Sequence, residues 1–270
     1  MRYEPRAGRL AAWGNALFAG LVSPDDAASR VVGGDTVHRV VDLPEETGPV
    51  GLTLALGRLR SLGVAGLRIA LPAPGHPLGL SGPPEFNAAA MEAGEAVIAA
   101  GRAVLGLVPE VSEAGPAGDV LTEVVWRCLP VRQAPPADVP SLGEAERELA
   151  EVLRETTEAL TRLDLAGAGP MAMARLEAYR ARMESGRQLL APGYPPRAVR
   201  VLELAQRVGG LVEIAEEAGV EEEALAHGAA VSAGQIAERD RLLRGVERAA
   251  RRARVAAYNA YAEELERQGG

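Results

Sequence analysis

Apolar positions recur with two different rhythms along this chain, and the change of rhythm near residue 140 divides it. In the first half helical and β-type patterns alternate. Leu10, Trp13, Leu17, Phe18 and Leu21 fall at the three-and-four spacing of one helix face, which predicts a first helix ending near Val22 with Asn15 interrupting its apolar run. Ser23-Pro24-Asp25-Asp26 then supplies an N-cap hydroxyl, a first-turn proline and two acids, so a second short helix is predicted up to Gly33-Gly34. The β-branched run Val37–Asp42 reads as a strand. Leu52, Ala55, Leu56, Leu59 and Leu62 form the next helical stripe, and Gly66–Leu71 the next strand, which together make a βαβ unit. A Gly/Pro-rich loop from Pro72 to Pro84 leads into a third helix, with Phe86, Ala90, Ala93 and Val97 on its inner face and Glu85, Glu92 and Glu95 opposite. Val104–Val108 is a third strand. Val120–Leu129, reached through a short turn region, is a fourth that returns antiparallel with Val124, Trp126 and Cys128 on one face. Because crossovers within one sheet are right-handed, the first three strands are expected to run parallel with helices on the faces.

The second rhythm is helical throughout. Gln133–Pro140 is proline-rich and aperiodic, so it reads as a boundary: an α/β domain over 1–133, a linker over 134–140 and an all-α helical bundle over 141–270. Ser141 with Glu144 forms a capping box, and Leu142, Leu149, Val152, Leu153, Thr156, Leu160 and Leu163 follow as a heptad-like seam ended by Gly167 and Gly169. Further helices are predicted over Met171–Leu190, Arg197–Ala218 and Ser232–Arg267. The last carries an alanine-dominated seam that includes Leu243, Val246, Ala250, Ala253, Ala257 and Ala260.

Composition removes several chemistries. The chain contains no lysine, all 29 Lys+Arg positions being arginine, so Schiff-base, pyridoxal and lysine-dependent phosphate-binding mechanisms are excluded. A single cysteine and three histidines supply no zinc spacing and no internal disulfide, which points to no metal, no cofactor and a reducing, cytoplasmic setting. Arg2, Arg6 and Arg9 precede an apolar run in the manner of a leader, but its helical spacing and Asn15 favour a folded helix. No run is apolar for long enough to span a membrane. The net charge of −8 and the 3% aromatic content argue against nucleic acid.

Two groups of residues remain as candidates. If the three strands are parallel, their carboxyl ends bring together Asp42, His76 and Glu110, two carboxylates and an imidazole able to act as acid and base. The loop below them would contribute ligand-binding positions at Gly75, Gly79, Ser81, Gly82 and Asn87, although its glycines match no dinucleotide or phosphate-loop fingerprint. On the last helix, Arg241, Arg244, Arg248, Arg251 and Arg252 form a basic stripe suited to a partner or to the acidic stretches Glu144–Glu158 and Glu213–Glu223. Cys128, on a buried strand face, is expected to be inert, and His38 and His227 take no role. The favoured expectation is a non-enzymatic interaction or regulatory protein whose helical half self-associates or docks a partner. The alternative is a small-molecule enzyme or binding protein using the strand-end cleft.

Overall fold

A computed structural model describes residues 4–80, 82–116, 119–132, 137–162, 190–225 and 233–269. The predicted Met171–Leu190 helix up to residue 189, Leu163, Gly167, Gly169, His227, Ser81 and residues 133–136 of the linker lie outside the described residues. Two compact units emerge. One combines the α/β elements with residues 190–198 and 257–269; the other is made from residues 140–162, 199–225 and 233–256.

The α/β unit begins with α1 (Arg6–Phe18) and α2 (Pro24–Val32), followed by β1 (Val37–Val41), a two-residue β2 (Val50–Gly51), α3 (Leu52–Ser61) and β3 (Val64–Ala70). Next come α4 (Pro84–Ala93), β4 (Ala96–Gly101), β5 (Leu105–Ala114) and β6 (Leu121–Pro130). Ser23 caps α2 by accepting the Asp26 N–H at 3.1 Å, as its pattern predicts. The sheet is mixed, with order β2-β1-β6-β5-β4-β3, and its single parallel pair is β1 with β6.

That topology corrects the expectation of three parallel strands. β3, β4, β5 and β6 form an antiparallel meander, so β1 and β3 run in opposite senses. The source of the difference is β4, where the helical spacing of Val97 after Ala93 falls in a strand. Gly94 takes the left-handed conformation (φ 72) and ends α4 at Ala93. Beyond it Ala96, Val97, Ile98 and Ala99 are all buried, and a strand covered on both faces shows no alternation in its sequence. With β4 between β3 and β5, and β6 between β1 and β5, no two of the three strands expected to be parallel are neighbours for the crossover rule to act on.

Both sheet faces carry core. On one, Val40, Val124, Trp126, Cys128, Leu107, Val97, Leu67 and Ile69 are buried, as are Leu10, Trp13 and Leu17 of α1 and Leu52, Leu56 and Leu59 of α3. On the other, Phe86 and Ala90 of α4 pack with Leu80, Ala70, Ile98 and Val108. Burying a side chain the size of Phe86 contributes about 2–3 kcal/mol.

β3 is an edge strand, and an unprotected edge invites pairing with other chains. Two asparagines close it. Asn15 of α1 accepts the Leu67 N–H at 2.7 Å and donates to the Leu67 carbonyl at 2.9 Å. Asn259 repeats the arrangement one outward position along, accepting from the Ile69 N–H at 2.7 Å and donating to its carbonyl at 3.2 Å. Each side-chain amide substitutes for one peptide group of a missing neighbour strand. Tyr194 supports the second clamp from behind by donating to the Tyr258 carbonyl at 2.9 Å. Residues 257–269, which their pattern assigns to the bundle, therefore pack with the α/β unit.

In the second unit, α5 (Leu142–Arg162), α6 (Pro196–Leu225, from Val199 onward) and α7 (Ala233–Gly269, up to Ala256) are amphipathic. The capping box at the start of α5 is present, with Glu144 accepting from the Ser141 N–H at 2.9 Å and hydroxyl at 2.6 Å. Leu149 of α5, Leu202 and Ala205 of α6, and Val246, Ala250 and Ala253 of α7 are buried. Among the described residues no helix is long and apolar enough to cross a membrane.

Candidate functional site

The strand-end residues do not converge. Asp42 follows β1 and His76 lies beyond β3. Because β6, β5 and β4 stand between those strands, they are separated laterally by roughly 19 Å, four spacings of about 4.8 Å. Glu110 sits in the body of β5 rather than after it, exposed, and faces Arg127 of β6 at 3.5 Å. A shared cleft required all three strands to point the same way, and they do not.

The loop after β3 is occupied with its own structure. Ala73 and His76 exchange two backbone hydrogen bonds of 2.9 and 2.8 Å around Gly75 (φ 78). Gly79 (φ 99) lies so close to β3 that a Cβ there would meet the Ala70 Cα and the Ile69 oxygen at 2.9 Å, while its N–H donates to Ala137 at 2.8 Å. Asn87 accepts the Gly82 N–H at 2.9 Å, which fixes the entry to α4. Ser81 lies outside the described residues. Cys128 is buried beside Asp42; burial and then that carboxylate push its thiol up to about 11, so it stays protonated at neutral pH.

Titratable groups do converge at the other end of β1. The Asp35 carboxylate receives Arg6 Nη2 on one oxygen at 2.7 Å; on the other it receives Arg6 Nε at 3.0 Å, Arg9 Nη2 and His38 Nε2 at 2.9 Å. Four donors saturate the acceptor sites of one carboxylate. Burial alone would push this carboxyl up, but the hydrogen bonds from His38 and Arg6 and the charges of Arg9 and Arg6 outweigh it. Together they hold it well below the usual carboxylate range. On the far side of the imidazole, Trp126 Nε1 donates to His38 Nδ1 at 3.2 Å. Glu95, placed by pattern on the solvent side of a helix, is instead buried and accepts the Ala7 N–H of α1 at 2.7 Å. The sequence pattern does not single out Asp35 and gives His38 no role: the two are three residues apart, but Arg6 and Trp126, which complete the cluster, are 29 and 88 residues away from them. The cluster is arranged to hold α1 to the sheet.

Outward charge gathers on α7. Arg241, Arg244 and Arg248 are exposed along one face, opposite the buried Leu243, Val246, Ala249 and Ala250. Arg241 pairs with Glu238 one turn earlier at 2.6 Å. Arg251 and Arg252 are less exposed and serve their own unit. Arg251 meets Glu247 at 3.2 Å, and Arg252 reaches Glu148, within the acidic stretch of α5, at 3.0 Å.

Both halves have counterparts among known proteins. Residues 7–140 match the model of the Rv1486c-like protein N-terminal domain, and residues 143–255 match that of the Rv1486c-like protein C-terminal domain. The chain is 34% identical over 237 residues to the uncharacterized protein Rv1486c of Mycobacterium tuberculosis (strain ATCC 25618 / H37Rv), covering 76% of this chain and 81% of that protein. It is 29% identical over 235 residues to the uncharacterized protein MAV321 of Mycobacterium avium, covering 76% of this chain and 77% of the relative. With the uncharacterized protein ML1804 of Mycobacterium leprae (strain TN) it shares 28% identity over 248 residues, covering 76% and 82%. No solved structure matches the chain significantly.

Proposed function

The chain belongs to the Rv1486c-like protein family, and we propose that its helical half is a non-enzymatic interaction module that docks an acidic protein surface, presented by a partner or by a second copy. The observation that carries this reading is the exposed row Arg241, Arg244 and Arg248 on α7, backed by a buried seam that holds the helix in place. Arginine suits the task, because its planar fork donates two parallel hydrogen bonds to a carboxylate. The contact between Arg241 and Glu238 is no obstacle, since exposed pairs of this kind contribute about 0–1 kcal/mol and exchange readily for an intermolecular carboxylate. Arg251 and Arg252 are assigned to intramolecular pairing, which narrows the candidate docking residues to three.

Light scattering on chain purified with its bound material from its own host tests this. The wild type is expected to run above its monomer mass of 28.2 kDa, and the triple variant Arg241→Glu/Arg244→Glu/Arg248→Glu to run as a folded monomer. A monomeric wild type with nothing bound, or a complex unaffected by the triple variant, would remove the reading.

A further inference from the structure

We propose that the chain of hydrogen bonds from Trp126 through His38 to Asp35 is an acid-sensitive latch, closed while His38 is neutral and opened by a second proton on its ring. Nothing in this depends on the docking role proposed for α7.

The direction of the hydrogen bonds follows from chemistry. An indole N–H can only donate, so the His38 Nδ1 that faces Trp126 Nε1 at 3.2 Å must be the unprotonated nitrogen. The proton of the neutral ring therefore sits on Nε2, where it is given to Asp35 Oδ2 at 2.9 Å. The His38 side chain has no exposed surface and Trp126 is fully buried, so water replaces neither bond.

A second proton can enter only at Nδ1. It would place two N–H groups against each other in a buried site, and one must move. If the indole moves, β6 loses this side-chain bond to β1, while the backbone ladder between the two strands remains. If the ring turns, Nε2 leaves the carboxylate on which Arg6 and Arg9 of α1 are also anchored. In the second case a single protonation is relayed from the sheet to the first turn of α1.

The surrounding charges are those of Arg6 and Arg9 on α1, Asp35 in the turn before β1, Glu95 on the Ala7 N–H, and Glu113 of β5, which acts on Arg6 through space. On the acid side of neutrality Asp35 stays ionised, because its carboxyl is held below the ordinary range.

The test is a pH titration of the full chain by nuclear magnetic resonance with labelled histidine and tryptophan, followed in parallel by far-ultraviolet circular dichroism. At neutral pH His38 is expected to show a proton on Nε2 and none on Nδ1. On acidification, the gain of the Nδ1 proton and the displacement of the Trp126 indole resonance should coincide in one reversible step with the helical signal retained. His38→Gln offers an oxygen to Trp126 and an N–H to Asp35 without titrating, so that variant should lose the step. The proposal is overturned by any of four outcomes: a proton on Nδ1 at neutral pH, a Trp126 resonance that does not move with His38, loss of the helical signal in the same step, or persistence of the step in His38→Gln.

Discussion

Asn15 and Asn259 show how one residue type meets a need that no apolar side chain can meet. Both stand among small and apolar helix residues, Ala11 and Ala12 one turn before Asn15 and Val255 and Ala256 one turn before Asn259, and both are essentially buried. An isolated amide in such a stripe costs free energy unless its donor and acceptor are both used. Here each amide is used twice, on the N–H and the carbonyl of a single edge residue. Asn259→Ala leaves the Ile69 N–H and carbonyl buried without those bonds, and is expected to lower stability by about 2–6 kcal/mol at 1–3 kcal/mol per orphaned group. Chemical denaturation checks it, and a loss below about 0.5 kcal/mol would show that the clamp contributes little. Asp35 carries a different kind of stability. Its folded carboxyl lies below the unfolded value near 4, so its contribution is complete above that value. The contribution is then lost as pH falls from there through the folded value. Asp35→Asn removes it, leaving two largely buried guanidinium groups without their anion, and should cost about 3 kcal/mol at pH 7. Urea unfolding at pH 7 and at about pH 3 should show the gap between wild type and variant narrowing in acid. An equal gap at both would place the stabilisation elsewhere.

At the scale of elements, the chain was legible wherever a local signal decided the outcome. Ser23 before Pro24 and Ser141 before Glu144 marked real helix starts, and the alternation of Val124, Trp126 and Cys128 marked a real buried strand face. Legibility failed where the signal was removed by burial on both sides, as in Ala96–Gly101. With that strand in the sheet β1 and β3 run in opposite senses, and Asp42, His76 and Glu110 lie apart. Gly94 marks the boundary, since its left-handed φ of 72 separates α4 from β4. Gly94→Ala should cost about 1 kcal/mol by forcing a side chain into that conformation. A thermal melt that does not fall would mean the break between helix and strand has another cause. The Asp35 cluster was illegible for another reason: it joins α1, the turn before β1, and β6, and no local period reports contacts across such distances. The same holds for Asn259, which reaches β3 across 190 residues and lies beyond the segments matched by the two family domains.

For the molecule as a whole, charge is put to two uses. In the α/β unit the strongest cluster is turned inward and saturated, holding α1 against the sheet. On α7 the exposed arginines point away from their own seam, and this is the feature on which the docking reading rests. The absence of lysine means that amine-reactive cross-linkers find no side chain on this chain, so contacts must be captured by another chemistry. A photoreactive residue placed at Asp240, exposed beside Arg241, reports the stripe directly, and one at Leu54, 54% exposed on α3, serves as the control. Illumination in the native host is expected to yield a covalent adduct from position 240, weakened when extracts are brought to about 0.5 M salt before illumination, where charges more than a few ångströms apart are screened. Position 54 should yield none. No adduct at position 240, or adducts of equal yield at both positions, would contradict the account.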